Sequence, residues 1–414
     1  MSNTSFQRLI ALDGVRGLAV TLLVLSHFMI SKEWESTDTW KIVHGGWLGV
    51  DLFFVLSGFL ITGILIDTRD KATYFGSFFK RRLLRIFPLY YFCLLIALFC
   101  VYFIEKAPER LTGYDGMGWF FAYASNIAIA LKDAWTYQSD IVTMGHFWSL
   151  AVEEQFYLVW PFVVYFVPLR WLLALSGLIV FTGPEIKDYF DGFFGKDSLA
   201  SYVLTPCRMD ALAAGSLLAC LLRLDKKDTP KNPHDFRYPA LFLVALWTIS
   251  TYKAWKLDDI DLKWNAAIYL FGMFIVLPQR KWIAYIMFVY GALTTGEILI
   301  EGGHQEKWTF PILFFFSFLY LSLEKTWIKT LCETRFLTHM GKYSYAIYIF
   351  HHFCKPWWEY LFGNELFSGK YNPWIAQGSY IVLASLGTYV LARISWVIIE
   401  KPMLDLKEKW APVK

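Results

Sequence analysis

Charge is scarce in this sequence. Asp, Glu, Lys and Arg make up 18% of its 414 residues, against roughly 25% in soluble domains, while 56% are hydrophobic and 19% aromatic. Mean hydropathy is +0.40. A water-soluble domain of this length has no use for so much apolar surface, which leaves an integral membrane protein. The six cysteines, Cys93, Cys100, Cys207, Cys220, Cys332 and Cys354, are scattered without CxxC spacing. Neither a metal site nor a disulfide framework is therefore expected. There is no basic tail and no interleaving of basic with aromatic residues, and the net charge is only +4, so no nucleic-acid partner is expected. A cleavable signal is missing too. Arg8 is the one basic residue ahead of the first apolar run, and no small-residue cleavage site follows it, so that run is expected to remain as a span. Internal repeats, low-complexity linkers and an appended soluble domain are not visible. Residues 1–414 read as a single membrane domain in the lipid bilayer.

What is present is a series of apolar runs, near 11–30, 46–66, 87–104, 147–167, 171–183, 207–222, 239–254, 264–278, 282–298, 310–324, 342–361 and 375–398. They predict an all-α, polytopic transmembrane helical bundle of about 10–12 spans, several of them shorter than the about 20 residues that cross comfortably. The basic stretches RDKATYFGSFFKRRLLR (69–85) and RLDKKDTPKNPHDFR (223–237) fall in loops on one side, and acidic residues such as Asp258, Asp259 and Asp261 on the other. The positive-inside rule then places both termini in the cytoplasm.

Five constellations stand out against this apolar background. In LDGVRGLAVTLLVLSHF (12–28), Arg16 and His27 lie near opposite ends of one apolar helix. Their spacing returns to almost the same face with a rise of roughly 16 Å. Ionisable groups inside a bilayer are costly and mark pathways or sites. In FKRRLLRIFPLYY (79–91), Arg82 and Arg85 share a helical face at the cytoplasmic mouth. They serve either as membrane anchors or, with Arg16, as three guanidiniums converging on a phosphate-bearing ligand.

In GHFWSLAVEEQFYLVWP (145–161), His146 and Glu153 are at same-face spacing, with Tyr157 one turn further on. The orientation puts them in the outer half of the membrane, where the carboxylates either cap a helix or join a site. Arg208 and Asp210 in PCRMDALAAGSLLA (206–219) form either a network with Glu153 or a buried ion pair that orients helices. His351 and His352 in GKYSYAIYIFHH (341–352) fall in mid-span, as hydrogen-bonded structure or as part of a site. The small residues Gly49, Ser57, Gly58 and Gly63 of the second span fit close helix packing.

Seven of these pieces, LDGVRGLAVTLLVLSHF, LGVDLFFVLSGFLIT, RRLLRIFPLYY, FWSLAVEEQFYLVWP, CRMDALAAG, YSYAIYIFHH and EKP, stand in one order between residues 10 and 402. In that order the sequence resembles the acyltransferase-3 family of polytopic membrane acyltransferases, whose best-known members O-acetylate bacterial surface polysaccharides. The resemblance implies an acyl-CoA donor, with acetyl-CoA the expected form, and an acceptor hydroxyl on a cell-surface glycan such as lipopolysaccharide or on a glycolipid. It also implies residence in a bacterial inner membrane. Carried to this sequence, it puts weight on Arg16, His27, Arg82, Arg85 and Glu153. Some family members carry a hydrolase-like C-terminal domain that is not seen here, so a mechanism needing a second transferase domain would draw it from a partner protein.

The expected roles follow. His27 and Glu153 are catalytic, His27 either as base or as transient acyl carrier. Arg16, Arg82 and Arg85 hold the donor, and His146, Arg208 and His351 contact the acceptor. No metal is expected. The alternative from another functional class is a transporter or exporter of an acylated or sugar-like metabolite, which also needs interior Arg, Glu and His.

Overall fold

The computed structural model describes residues 10–30, 35–106, 116–137, 139, 141–196, 198–227, 262–277, 279–301 and 309–410. Among the described residues there are helices and no β-strand. In chain order, the helices that matter here are α1 (Ile10–His27), α2 (Gly49–Thr68), α3 (Tyr74–Phe99), α4 (Trp148–Phe166), α5 (Leu169–Phe181), α6 (Gly183–Phe194), α7 (Thr205–Lys227), α8 (Arg335–Lys342), α9 (Ser344–Phe353) and α10 (Pro373–Ser395).

Among the described residues, five helical segments are long and apolar enough to cross a membrane: Ile10–His27, Asp38–Thr68, Tyr74–Glu105, Arg280–Glu301 and Pro373–Leu406. A sixth is added if α5 and α6, which meet at a 45° bend, cross together. Other expected spans fall on helices such as α4, α7, Leu262–Val276 and Thr309–Leu323. These are shorter, or carry too many polar residues, to qualify on length and composition alone. The expected span at 239–254 lies outside the described residues.

Between apolar helices in lipid, close packing replaces the hydrophobic effect as the source of association, and small residues make it close. The second span shows this: a Cβ on Gly58 would meet the carbonyl oxygen of Leu212 at 1.8 Å, and one on Gly215 would meet that of Val55 at the same distance. α2 and α7 therefore touch backbone to backbone. Their polar residues pair internally, with Thr62 donating to Ser216 and accepting from the Trp160 indole, both at 2.8 Å. α2 is central, with 78% of its span buried, while Pro373–Leu406 has 22% buried and lies at the periphery.

α1 is held in the same manner along its N-terminal half. A Cβ on Gly14, Gly17 or Gly341 would meet the carbonyl oxygens of Cys332, Leu337 or Asp13 at 1.7–1.9 Å. This fixes α8 against α1 at the level of Asp13 to Gly17. At its other end α1 stops at His27, and Gln377 of α10 clamps the exit. The Gln377 amide donates to Phe28 O at 2.7 Å, and its carbonyl oxygen accepts from Ile30 N at 3.1 Å. Both ends of the Arg16–His27 helix are thus fixed by contacts that the local sequence does not show.

Candidate functional site

Two clusters of polar side chains, here called chambers, lie along α1, one at each end. The first lines a cavity at the Arg16 end of α1. Arg16, Arg82 and Arg85 line it, together with Ser57, Ser149, Glu153, Glu154, Tyr157, Ser344, Tyr345 and Tyr348. α3 brings Arg82 and Arg85 to it on one face, as their spacing requires. The Tyr345 hydroxyl donates to Ile86 O at 2.7 Å and ties α9 to that face. Arg16 is partnered within its own helix by Asp13 at 3.0 Å. The Arg82 guanidinium stacks over Tyr157, 4.8 Å from the ring centroid. Among the described residues no carboxylate forms an ion pair with Arg82 or Arg85, and Arg85 is exposed to the cavity. Glu153 faces the same space and accepts from the Ser57 hydroxyl at 2.6 Å. Three guanidiniums, two of them without an acid partner, make a receptor for a multiply charged anion.

The second chamber holds four imidazoles. His27 ends α1, His351 and His352 end α9, and His146 sits in the 3₁₀ turn Gly145–Phe147 ahead of α4. His27 lies 5.1 Å from His351 and 5.2 Å from His352 between ring centroids, and His146 lies 5.4 Å and 4.9 Å from the same two. His27 Nδ1 and His351 Nε2 are 2.8 Å apart.

The proton positions in this pair follow from the partners. His351 Nδ1 is 2.6 Å from Tyr348 O, a carbonyl that only accepts, so Nδ1 carries the hydrogen. In the neutral pair His351 Nε2 is then an acceptor, His27 Nδ1–H donates to it, and the lone pair of His27 is on Nε2. The partner of His27 thus does for it what an orienting carboxylate does for a catalytic imidazole. His146 follows the same logic. It donates from Nε2 to Ile349 O at 3.1 Å, which leaves its buried Nδ1 as a lone pair without a hydrogen-bond partner among the described residues. Thr143 hydrogen-bonds to His352, with its hydroxyl 2.9 Å from Nδ1.

Tyr348 stands between the chambers. Its hydroxyl bonds to Ser149 Oγ and donates to His146 O at 2.8 Å, its ring borders the arginine cavity, and its main-chain carbonyl fixes the His351 tautomer.

The expected site residues therefore divide. Arg16, Arg82, Arg85 and Glu153 come together, and so do His27, His146 and His351. Glu153 sits with the arginines and Ser57, and it is His351 that pairs with His27. His146 and Glu153 go to different chambers, because His146 lies in the turn before α4 and Glu153 two turns inside the helix. Arg208 belongs to neither chamber. Its guanidinium is 3.3 Å from Asp51, with both side chains almost fully buried, and stacks on Tyr202 and Trp148. Beside it Lys187 pairs with Asp210 at 2.5 Å. The carboxylate beside Arg208 is thus Asp51 rather than Glu153.

Sequence reasoning assigned no role to Ser149 or Tyr348, and read Ser57 only as a packing residue. Tyr348 and His351 are one helical turn apart, as are Ser149 and Glu153, and that spacing is the signal that would have drawn them in. The six cysteines are free, and among the described residues no group of three His, Cys, Asp or Glu is arranged to hold a metal ion.

Residues 9–194 match the acyltransferase-3 family, described as an acyltransferase domain. That segment contains Arg16, His27, Arg82, Arg85, His146 and Glu153, while His351 and His352 come from beyond it. Similarity to whole proteins runs further. The chain is 28% identical over 416 residues to O-acetyltransferase OatA of Staphylococcus aureus strain NCTC 8325, covering 95% of this chain and 56% of that protein. It is 27% identical over 411 residues to a "Putative O-acetyltransferase" of Staphylococcus aureus strain COL, covering 94% and 56%. The chain thus spans about half the length of the curated relatives it matches. No solved structure matches.

Proposed function

We propose that this chain is a multi-pass membrane O-acyltransferase of a bacterial inner membrane. It takes an acyl group, acetyl in the first instance, from acyl-CoA on the cytoplasmic side and passes it to a hydroxyl of a cell-surface glycan or glycolipid. The observation that carries this reading is the pair of guanidiniums, Arg82 and Arg85, with no carboxylate ion pair among the described residues, on a cavity separated by Tyr348 from a histidine with an oriented base nitrogen. Phosphates of CoA satisfy the first. A hydroxyl that must lose a proton as it attacks a thioester satisfies the second.

In this scheme the diphosphate of the donor sits on Arg82 and Arg85, with Arg16 held ready by Asp13. The pantetheine arm lies along the cavity toward Ser149 and Tyr348, and displacing the Tyr348 hydroxyl admits the thioester to the imidazoles. The acceptor oxygen attacks the thioester carbonyl carbon while His27 Nε2 takes its proton. The new C–O bond forms, the C–S bond breaks, and the thiolate recovers the proton from His27. The charge that appears on His27 during transfer is stabilised through Nδ1–H by His351 Nε2. Positioning supplies much of the rate, because the thioester is already activated. Glu153, tied to Ser57, lines the same cavity and orders the arm rather than acting on the proton.

The test is mass spectrometry of envelope glycans from cells with and without the gene, joined to acetyl-CoA turnover by the purified protein. The reading expects loss of an acetyl mass from a glycan and turnover by the protein. Intact glycan acetylation without the gene, together with no turnover, overturns it in favour of a carrier.

A further inference from the structure

Beside the arginine cavity is a second cation cluster that the scheme above leaves unused. His339 and Lys342 lie on α8 and Arg393 on α10, and all three are exposed. Aromatic groups rather than acids hold them. Arg393 donates to the Tyr389 hydroxyl at 3.2 Å, and the same oxygen is 2.6 Å from His339 Nε2. Arg393 also stands 5.1 Å from the centroid of Tyr343, and Lys342 stands 5.3 Å from Tyr343 and 5.2 Å from Trp396. Among the described residues no carboxylate pairs with Lys342 or Arg393. Ring faces and a phenol fix the positions of these cations without neutralising them, so the charge remains available to an anion.

The location is set by backbone contacts. α8 lies against α1 at Asp13 to Gly17, the level of Arg16, through the glycine contacts at Gly17 and Gly341. Ser344 and Tyr345, directly after Lys342 and Tyr343, line the arginine cavity. The cluster is therefore on the Arg16 side of α1, next in the chain to residues that line the cavity.

We propose that His339, Lys342 and Arg393 bind a phosphomonoester, the 3′-phosphate on the ribose of the CoA donor. This rests on the donor being acyl-CoA, as proposed above. A phosphomonoester carries close to two charges near neutral pH and three acceptor oxygens, which suits three separate donors better than it suits one. The same chemistry is offered by an anionic lipid headgroup, and the experiment separates the two sources.

The experiment measures binding of acetyl-CoA and of acetyl-3′-dephospho-CoA to the purified full-length protein in neutral detergent. It compares wild type with the double variant Lys342→Gln, Arg393→Gln. Wild type is expected to bind acetyl-CoA about tenfold more tightly than the dephospho form, as one charge-assisted contact at a solvent-facing surface gives. The double variant is expected to bind acetyl-CoA only as well as the dephospho form, with its dephospho affinity unchanged. That unchanged affinity also shows that the variant is folded. Equal binding of both donors by wild type overturns the proposal, and so does equal weakening of both in the variant. A variant that keeps the discrimination but no longer associates with phosphatidylglycerol vesicles assigns the cluster to lipid and likewise overturns it. A wild-type protein that binds the dephospho form but shows no 3′-phosphate preference spares the functional reading, whereas one that binds neither donor removes both.

Discussion

Arg208 is 1% exposed, 3.3 Å from Asp51 and stacked between aromatic rings; Arg82 and Arg85 border a cavity and, among the described residues, form no ion pair with a carboxylate. The residue type is the same and so is the apolar setting, but the partners differ. A guanidinium buried with its counter-ion has its charge already answered, and its work is to fix α7 against α2. A guanidinium held by a ring face, as Arg82 is by Tyr157, keeps its charge for something that arrives. Within a membrane domain, the pairing of a charge says more about its use than its presence does.

That contrast can be broken at either end. The largest effect is expected at the paired end. Arg208→Ala leaves Asp51 buried and unpaired, and is expected to cost about 3–5 kcal/mol of stability, read as a fall in the unfolding midpoint in detergent. The double change Arg208→Met, Asp51→Leu removes both charges and is expected to recover most of that loss and to leave acetyl-CoA affinity at the wild-type level. Lost donor binding in a folded double variant would move Arg208 into the site. At the open end, Arg82→Ala with Arg85→Ala is expected to weaken acetyl-CoA binding at least about a hundredfold, since each charged contact is worth roughly 1.5–3 kcal/mol, while the unfolding midpoint stays within the scatter of wild type. A large drop in the midpoint with unchanged donor affinity would make these arginines structural after all. The smallest effect is at Ser57. Ser57→Ala removes one hydrogen bond to Glu153 and is expected to lower turnover only several-fold, on the order of 1 kcal/mol. A loss as large as that of the arginine pair would give Glu153 a direct part in the chemistry.

Local spacing made several of these features legible in advance. The shared face of Arg82 and Arg85 and that of Glu153 with Tyr157 each lie within about one helical turn, where period alone predicts proximity. The close packing at Gly58 was readable for the same reason, because a small residue in an apolar run has few other uses. What periodicity could not supply was partner choice across the chain. His27 meets His351 over 324 positions, and Arg208 meets Asp51 from another helix altogether. Both contacts depend on how helices stack, and nothing in either segment names the other. The division of His146 from Glu153 was hidden for a subtler reason. A 3₁₀ turn before α4 takes His146 off the helical face that the spacing assumed.

The division of labour between the two chambers can be measured on one variant. His27→Ala removes the base nitrogen and leaves Arg16, Arg82 and Arg85 in place. Purified and given labelled acetyl-CoA with envelope glycan in a single-turnover experiment, it should bind the donor with wild-type affinity and transfer acetyl at least about a hundredfold more slowly, the lower range for loss of a general base. Transfer at the wild-type rate by a correctly inserted His27→Ala protein would contradict the assignment of the chemistry to the histidine chamber. Loss of donor binding in that variant would contradict the assignment of donor recognition to the arginines alone.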